Sequence, residues 1–146
     1  MKTLYFDTSY LFRLYASEPG HEAVRELLHE AETVVSGWHA RAEFASILLR
    51  KRWEKTFDKV VAKGVALQFQ EDRDQGILVL LDLTEPVVAK LEEVFYFAPE
   101  TTNLRVADAL HLACAAEHGF REVYSHDKRF LEAAPLFGLR GVDVID

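Results

Sequence analysis

Cysteine is almost missing from this sequence: one residue, Cys114, in 146. A lone thiol forms no internal bridge, so disulfides do not hold the fold, and a thiolate metal site has no ligands. Within the apolar run "ALHLACAA" it reads as a small core residue in a reducing compartment. Long hydrophobic stretches are lacking too. Nothing approaches the roughly 20 apolar residues of a membrane span, and the few that follow Met1 and Lys2 are cut off by Asp7, too soon for a secretory core. A cytoplasmic protein is the expectation. Positive charge is scarce, with 17 Lys and Arg against 24 Asp and Glu and a formal net charge of -7. That balance argues against a protein that coats nucleic acid by bulk attraction. It leaves room for an enzyme that engages phosphate through metal ions held on its own carboxylates. No linker, repeat or low-complexity segment divides the chain, so residues 1–146 are read as a single domain.

What is present is an alternation of strand-like and helix-like segments. Five short apolar or β-branched stretches predict strands: "TLYF" (3–6), "TVVS" (33–36), "ILVLLD" (77–82), "EVYS" (122–125) and "VDVI" (142–145). Their near-uniform apolarity suits strands covered on both faces. Between them, "EAVRELLHEA" and "WHARAEFASILLRKRW" carry a helical period. A third helix is predicted from "TFDKVVAKGVALQFQ", with Phe57, Val60, Val61, Gly64 and Leu67 as its apolar face. A fourth buries Val87, Val88, Leu91, Val94 and Phe95, with Thr84 as N-cap and Pro86 in its first turn. A fifth, "NLRVADALHLACAAEHG", stops at Gly119. Such alternation implies an α/β sandwich around a mainly parallel sheet.

In such sheets ligands gather outside the carboxyl ends of the strands, where strand order reverses. Asp7 follows the first strand and Asp127 the fourth, while Glu43 and Asp108 lie on helices able to reach that edge. Each acid also has an ordinary structural use. Asp7 and Asp127 can cap the helices they precede, Glu43 can pair with Arg41 or Arg50, and Asp108 with Arg105. Asp108, among Ala107, Ala109 and Leu110, is costly to desolvate without a partner. Together the four form a cluster whose mutual repulsion a hard divalent cation would relieve, and an oxygen-rich, thiol-free set suits Mg²⁺ or Mn²⁺. Metal-assisted phosphodiester hydrolysis is the chemistry such a site supports. Arg52, Lys55, Lys59 and Lys63, beside Arg50 and Lys51, form a local basic stripe that is either a solvated face or an RNA contact.

The segments "DTSYLFRLYASEPG", "ARAEFASILLR", "LRVADALHLACA" and "SHDKRF", in this order, resemble the PIN-domain ribonucleases, and among them the VapC-like toxins of toxin-antitoxin pairs. The resemblance implies a three-layer α/β/α fold on a five-stranded parallel sheet of order 3-2-1-4-5. It implies an Mg²⁺- or Mn²⁺-dependent endoribonuclease that cuts cellular RNA, a homodimer, and a VapB-like antitoxin as partner. It assigns Asp7, Glu43 and Asp108 as principal metal-binding and catalytic acids, with Asp127 as the fourth. Ser9 and Ser125 become hydroxyls that orient a carboxylate, water or phosphate, and Arg13 stands where a basic residue is common. His111 lies one turn from Asp108, where it either orients that acid or is an ordinary satisfied helical histidine, and His126 is open to phosphate. The rival reading is a PIN scaffold without turnover that acts only through dimer or antitoxin contacts.

Overall fold

The structure, a computed structural model, describes residues 2–146. Strand β1 (Lys2–Tyr5) leads through Phe6 and Asp7 into the short helix α1 (Thr8–Phe12), followed by α2 (His21–Glu26) and β2 (Ala31–Gly37). Helices α3 (Ala40–Trp53) and α4 (Lys59–Asp74) then lead to β3 (Leu78–Leu81), and α5 (Glu85–Phe97) and α6 (Val106–Glu117) to β4 (Glu122–Tyr124). Helix α7 (Lys128–Ala133) precedes β5 (Arg140–Val142). The last strand therefore lies two residues earlier than the "VDVI" reading.

All strand pairs are parallel: β1 with β2, β2 with β3, and β4 with β5. The expected continuous five-stranded sheet is corrected to a three-stranded and a two-stranded sheet. They join at a single parallel bridge, Phe6 to Tyr124, reinforced by the Asp7 N–H donating to the Tyr124 carbonyl at 3.0 Å. The bridge keeps β1 beside β4, as the order 3-2-1-4-5 requires. Away from it the strands part beside a cleft lined by Lys2, Leu4, Phe120, Arg121 and Arg140. Strand β4, with three residues, is too short to extend the pairing.

Successive strand residues point to opposite faces, and two cores result. Tyr5 and Val35 join Val87, Leu91, Ala109, Leu112 and Phe130 on one side. Leu4, Phe6 and Val34 join Tyr10, Leu11, Phe44 and Phe69 on the other. Helices thus cover both faces, giving three layers. Phe44 stacks on Phe69 with ring centroids 4.0 Å apart, seating α3 against α4. The face predicted for α4 is corrected: Ala62 and Phe69 are buried, whereas Val60, Val61 and Leu67 face solvent. Val88 and Phe95 of α5 are likewise exposed, while Val87, Leu91 and Val94 are buried as expected. Cys114 is fully buried.

Residues after β5 return to the beginning of the fold. The Tyr10 hydroxyl donates to Asp143 and accepts the Val144 N–H at 2.7 Å. Gly20, at φ +86°, lies so close to Ile145 that an added Cβ would stand 2.6 Å from its side chain, which together with the left-handed backbone requires glycine there.

Candidate active site

Asp7 sits where β1 and β4 meet, and it is 4% exposed. Its Oδ1 accepts the Tyr10 N–H and the Ser9 hydroxyl, both at 2.9 Å, and its Oδ2 accepts the Ser125 hydroxyl at 2.6 Å. The carboxylate caps α1 and faces the pocket at the same time, so the two readings of this residue do not exclude each other. Burial pushes its pKa above the ordinary carboxylate value, against the opposing donors Ser125, Tyr10 N–H and Ser9. Ser125 also accepts the Asp127 N–H at 3.0 Å, linking the acid after β1 to the acid after β4.

Glu43 projects from the first turn of α3. Its Oε1 accepts the Thr8 hydroxyl at 2.7 Å and the His111 ring at 2.8 Å. A carboxylate only accepts, so His111 Nε2 carries a hydrogen, and its Nδ1 takes the Tyr5 hydroxyl at 2.8 Å. Tyr5 and His111 are almost completely buried. Burial alone would raise the Glu43 pKa, but the hydrogen bond and charge interaction with His111 and the bond from Thr8 outweigh it and hold the group below its ordinary value. His111 therefore orients Glu43, not Asp108. Neither Arg41, which stacks over Trp38 at 4.9 Å, nor Arg50 pairs with Glu43 among the described residues.

His39, Glu43 and His111 place their donor atoms within 4.8 Å of one another, a possible metal-binding group. His39 Nε2 lies 2.9 Å from the Ala107 carbonyl, tying the start of α3 to α6. Its Nδ1 is buried without a hydrogen-bond partner among the described residues. Burial, and then the neighbouring His111, lower its pKa to about 4.

Asp108 lies in the first turn of α6, half-buried, and its Oδ2 is 3.5 Å from Arg105 Nε. The same guanidinium reaches Asp127 Oδ2 at 3.3 Å. Burial raises the Asp108 pKa; Arg105 opposes the rise, while Asp127, Asp7 and Glu43 add to it. Asp127 caps α7, its Oδ1 accepting the Arg129 and Phe130 N–H groups at 2.8 and 3.3 Å.

Asp7, Glu43, Asp108 and Asp127 line one pocket of about 350 Å³, with Thr8, Ser9, Arg50, Arg105 and His111 among its walls. Four distant stretches of sequence thus converge. Arg13 does not line the pocket; its guanidinium donates to the Pro19 carbonyl and to the carbonyl of Ser9, whose hydroxyl bonds Asp7. His126 is paired with Asp143 at 2.7 Å. The basic stripe divides at the turn between α3 and α4; Arg50 reaches the pocket, whereas Lys51 pairs with Glu18 at 2.7 Å. Sequence reasoning missed Thr8, Tyr5 and His39. Thr8 and Tyr5 flank Phe6 and Asp7, but only their contacts across more than 30 residues reveal a use for them.

The PIN domain family model matches residues 4–135, and the chain belongs to that family. No curated protein matches the sequence. Among solved structures, the chain is similar to VapC20 of Mycobacterium tuberculosis, described as a sarcin-ricin loop cleaving toxin (19% identity, TM-score 0.70, covering 94% of this chain and 98% of that one). It is also similar to VapBC2 of Rickettsia felis bound to a promoter DNA fragment (12%, TM-score 0.67, 97% and 98%). A third is VapBC-5 of M. tuberculosis, of a toxin-antitoxin family (14%, TM-score 0.66, 97% and 98%). At these identities the similarity establishes a shared fold.

Proposed function

We propose that this protein is a divalent-metal-dependent endoribonuclease of the VapC kind, the toxin of a toxin-antitoxin pair, acting on cellular RNA in the cytoplasm. The observation that carries the reading is the convergence of Asp7, Glu43, Asp108 and Asp127 on one pocket, two of them held above their ordinary pKa by burial. Its support in fold is the family and three structural neighbours named for toxins or toxin-antitoxin assemblies.

The donor set fits a hard cation. Its free lone pairs are carboxylate oxygens, and the nearest imidazole, His111, spends its Nε2–H on Glu43. Asp7, Glu43 and Asp108 would hold Mg²⁺ or Mn²⁺, with Asp127 completing the set. When bound, the ion stabilises negative charge on the phosphoryl and leaving oxygens and makes a bound water more acidic. The chain's own residues do the positioning. Ser9, Ser125 and the Tyr10 N–H fix Asp7, and Thr8 and His111 fix Glu43. Asp108, whose Oδ1 makes no hydrogen bond among the described residues, is the acid most able to accept a proton from an attacking water. Arg50 and Arg105 supply positive charge at the rim.

Partners follow from surface as well as family. Trp53 is 81% exposed, and Leu49 and Val60 are exposed near it around the α3–α4 turn. Phe97 is 84% exposed at the end of α5. Large apolar side chains in water on this scale favour a homodimer interface and an antitoxin contact. No helix among the described residues is long and apolar enough to cross a membrane.

One observation favours the non-catalytic scaffold instead: Arg105 already stands between Asp108 and Asp127 as an internal counter-ion. Its contacts are long and its side chain is 71% exposed, so a divalent ion can displace it. The test is Mn²⁺ titration by calorimetry alongside RNA cleavage. Wild type is expected to bind Mn²⁺ and cut RNA, and Asp7→Ala and Asp108→Asn to stay folded and lose cleavage. Full cleavage by either variant, or a wild type that neither binds Mn²⁺ nor cuts, refutes the nuclease reading.

A further inference from the structure

Beyond Arg105 and Asp127 the surface opens into a second cleft of about 570 Å³. The two depressions are neighbours along the chain. Arg105 and Asp127 line the acid pocket, while Asn103, two residues before Arg105, and Lys128 and Arg129, directly after Asp127, line the second cleft. Asp127 is tied to both sides, by the Arg105 contact at 3.3 Å and by the Arg129 N–H bond at 2.8 Å.

We infer that this cleft, with Lys128 and Arg129 on one side and Thr102 and Asn103 on the other, is a subsite that grips the sugar-phosphate backbone of the RNA strand running out of the acid pocket. The inference rests on the nuclease reading and adds the path of its substrate.

Three features carry it. First, the donors are unspent. Among the described residues the side chains of Lys128, Arg129, Thr102 and Asn103 make no hydrogen bond, and neither cation makes an ion pair. Some other cations are committed, as with Lys51 to Glu18 and Arg13 to backbone carbonyls. Second, location matters in a chain of net charge -7. Bulk attraction cannot recruit a polyanion, so local positive charge next to the cluster of acids is what can hold one. Arg50 and Arg105 add positive charge at the acid pocket, so cations line both depressions. Third, the cleft contains no aromatic ring. It offers no stacking platform for bases, so the contacts are to phosphate and ribose and tolerate any sequence. One acid, Glu132, also lines the cleft and opposes this binding.

The experiment measures binding of a fluorescently labelled single-stranded RNA oligonucleotide to the Asp108→Asn protein by anisotropy, over a range of salt concentrations. Adding Lys128→Ala and Arg129→Ala together should weaken binding about 10-fold or more at low salt. It should also flatten the plot of log affinity against log salt by about 1.4, the value for two single-strand phosphate contacts. The loss should be alike for unrelated sequences. Removing the same charge elsewhere, with Lys90→Ala and Arg121→Ala, should leave the slope unchanged, and Glu132→Gln should tighten binding. If the paired alanines match that control in affinity and slope, the subsite is refuted. It is equally refuted if they leave RNA binding intact and weaken only an acidic peptide or a protein partner. A wild type that cuts RNA with an unaltered slope in the double variant overturns the subsite alone; a wild type with no RNA binding at all overturns the nuclease reading with it.

Discussion

The two walls of the acid pocket are built on opposite terms. On one side Tyr5, His111, Thr8 and Glu43 form a chain of hydrogen bonds of 2.7–2.8 Å, with Tyr5 and His111 shut away from water. On the other, Asp108 and Asp127 share the exposed Arg105 through contacts of 3.3 and 3.5 Å. The first wall sets the direction of a carboxylate before any ligand arrives, since every member is confined by packing and by a satisfied partner. The second holds like charges near each other with a counter-ion that can leave. The proposed nuclease site, taking a cation and a polyanion, would use both: a fixed reference and a side that yields.

This contrast can be broken from either side. The largest effect belongs to the rigid wall. His111→Ala removes the donor to Glu43 and leaves Tyr5 and Thr8 short of a buried partner, which should cost about 2–4 kcal/mol. Mn²⁺ affinity or cleavage should fall about 10–100-fold. Calorimetry on the folded variant separates the two losses, and unchanged Mn²⁺ affinity would show that Glu43 needs no orientation.

Next comes Asp7, between the walls. Its carboxyl pKa is raised in the folded chain, so the associated stability is present below the ordinary pKa and is lost as pH rises through the folded one. Asp7→Asn keeps a good helix cap and carries no charge. The metal-free variant should therefore be more stable than wild type at neutral pH, with the gain fading in acid. Thermal melts at both pH values decide this; equal midpoints at neutral pH would contradict it.

His39 gives a smaller, opposite dependence. Its pKa falls from 6.5 to about 4 in the folded chain, so the stability it contributes is present above 6.5 and is lost as pH falls toward about 4. His39→Asn should flatten the decline in melting temperature across that window. Least affected should be Arg105→Ala. Its exposed ion pairs are worth less than about 1 kcal/mol, so the melting temperature should barely move, while Mn²⁺ binding tightens as the competing cation is removed.

The acids that were legible in the sequence are those placed by chain direction. A strand followed by Asp7, and another by Asp127, must deliver their carboxylates to the same sheet edge, and the pocket holds both. Asp108 could be read because an acid among Ala107, Ala109 and Leu110 is costly to desolvate without a partner, whereas Glu43 had an ordinary use and was placed only by its helix reaching the same edge. What the sequence concealed depends on contacts between remote residues. His111 is one turn from Asp108, yet it bonds Glu43, 68 residues away. Arg13 belongs to the same stretch as Asp7, but its guanidinium turns to the backbone of its own loop. The face of α4 was misread because Val60, Val61 and Leu67 compete with Ala62 and Phe69 for the same helical period. Which set is buried is decided by Phe44 on α3.

The closure of residues 143–145 onto Tyr10 and Gly20 bears on timing. The helix that Asp7 caps gains this buttress only when residues more than 120 positions further along have folded back. Contacts of such long sequence separation form late. The first acid of the pocket is therefore set in place only near the end of folding.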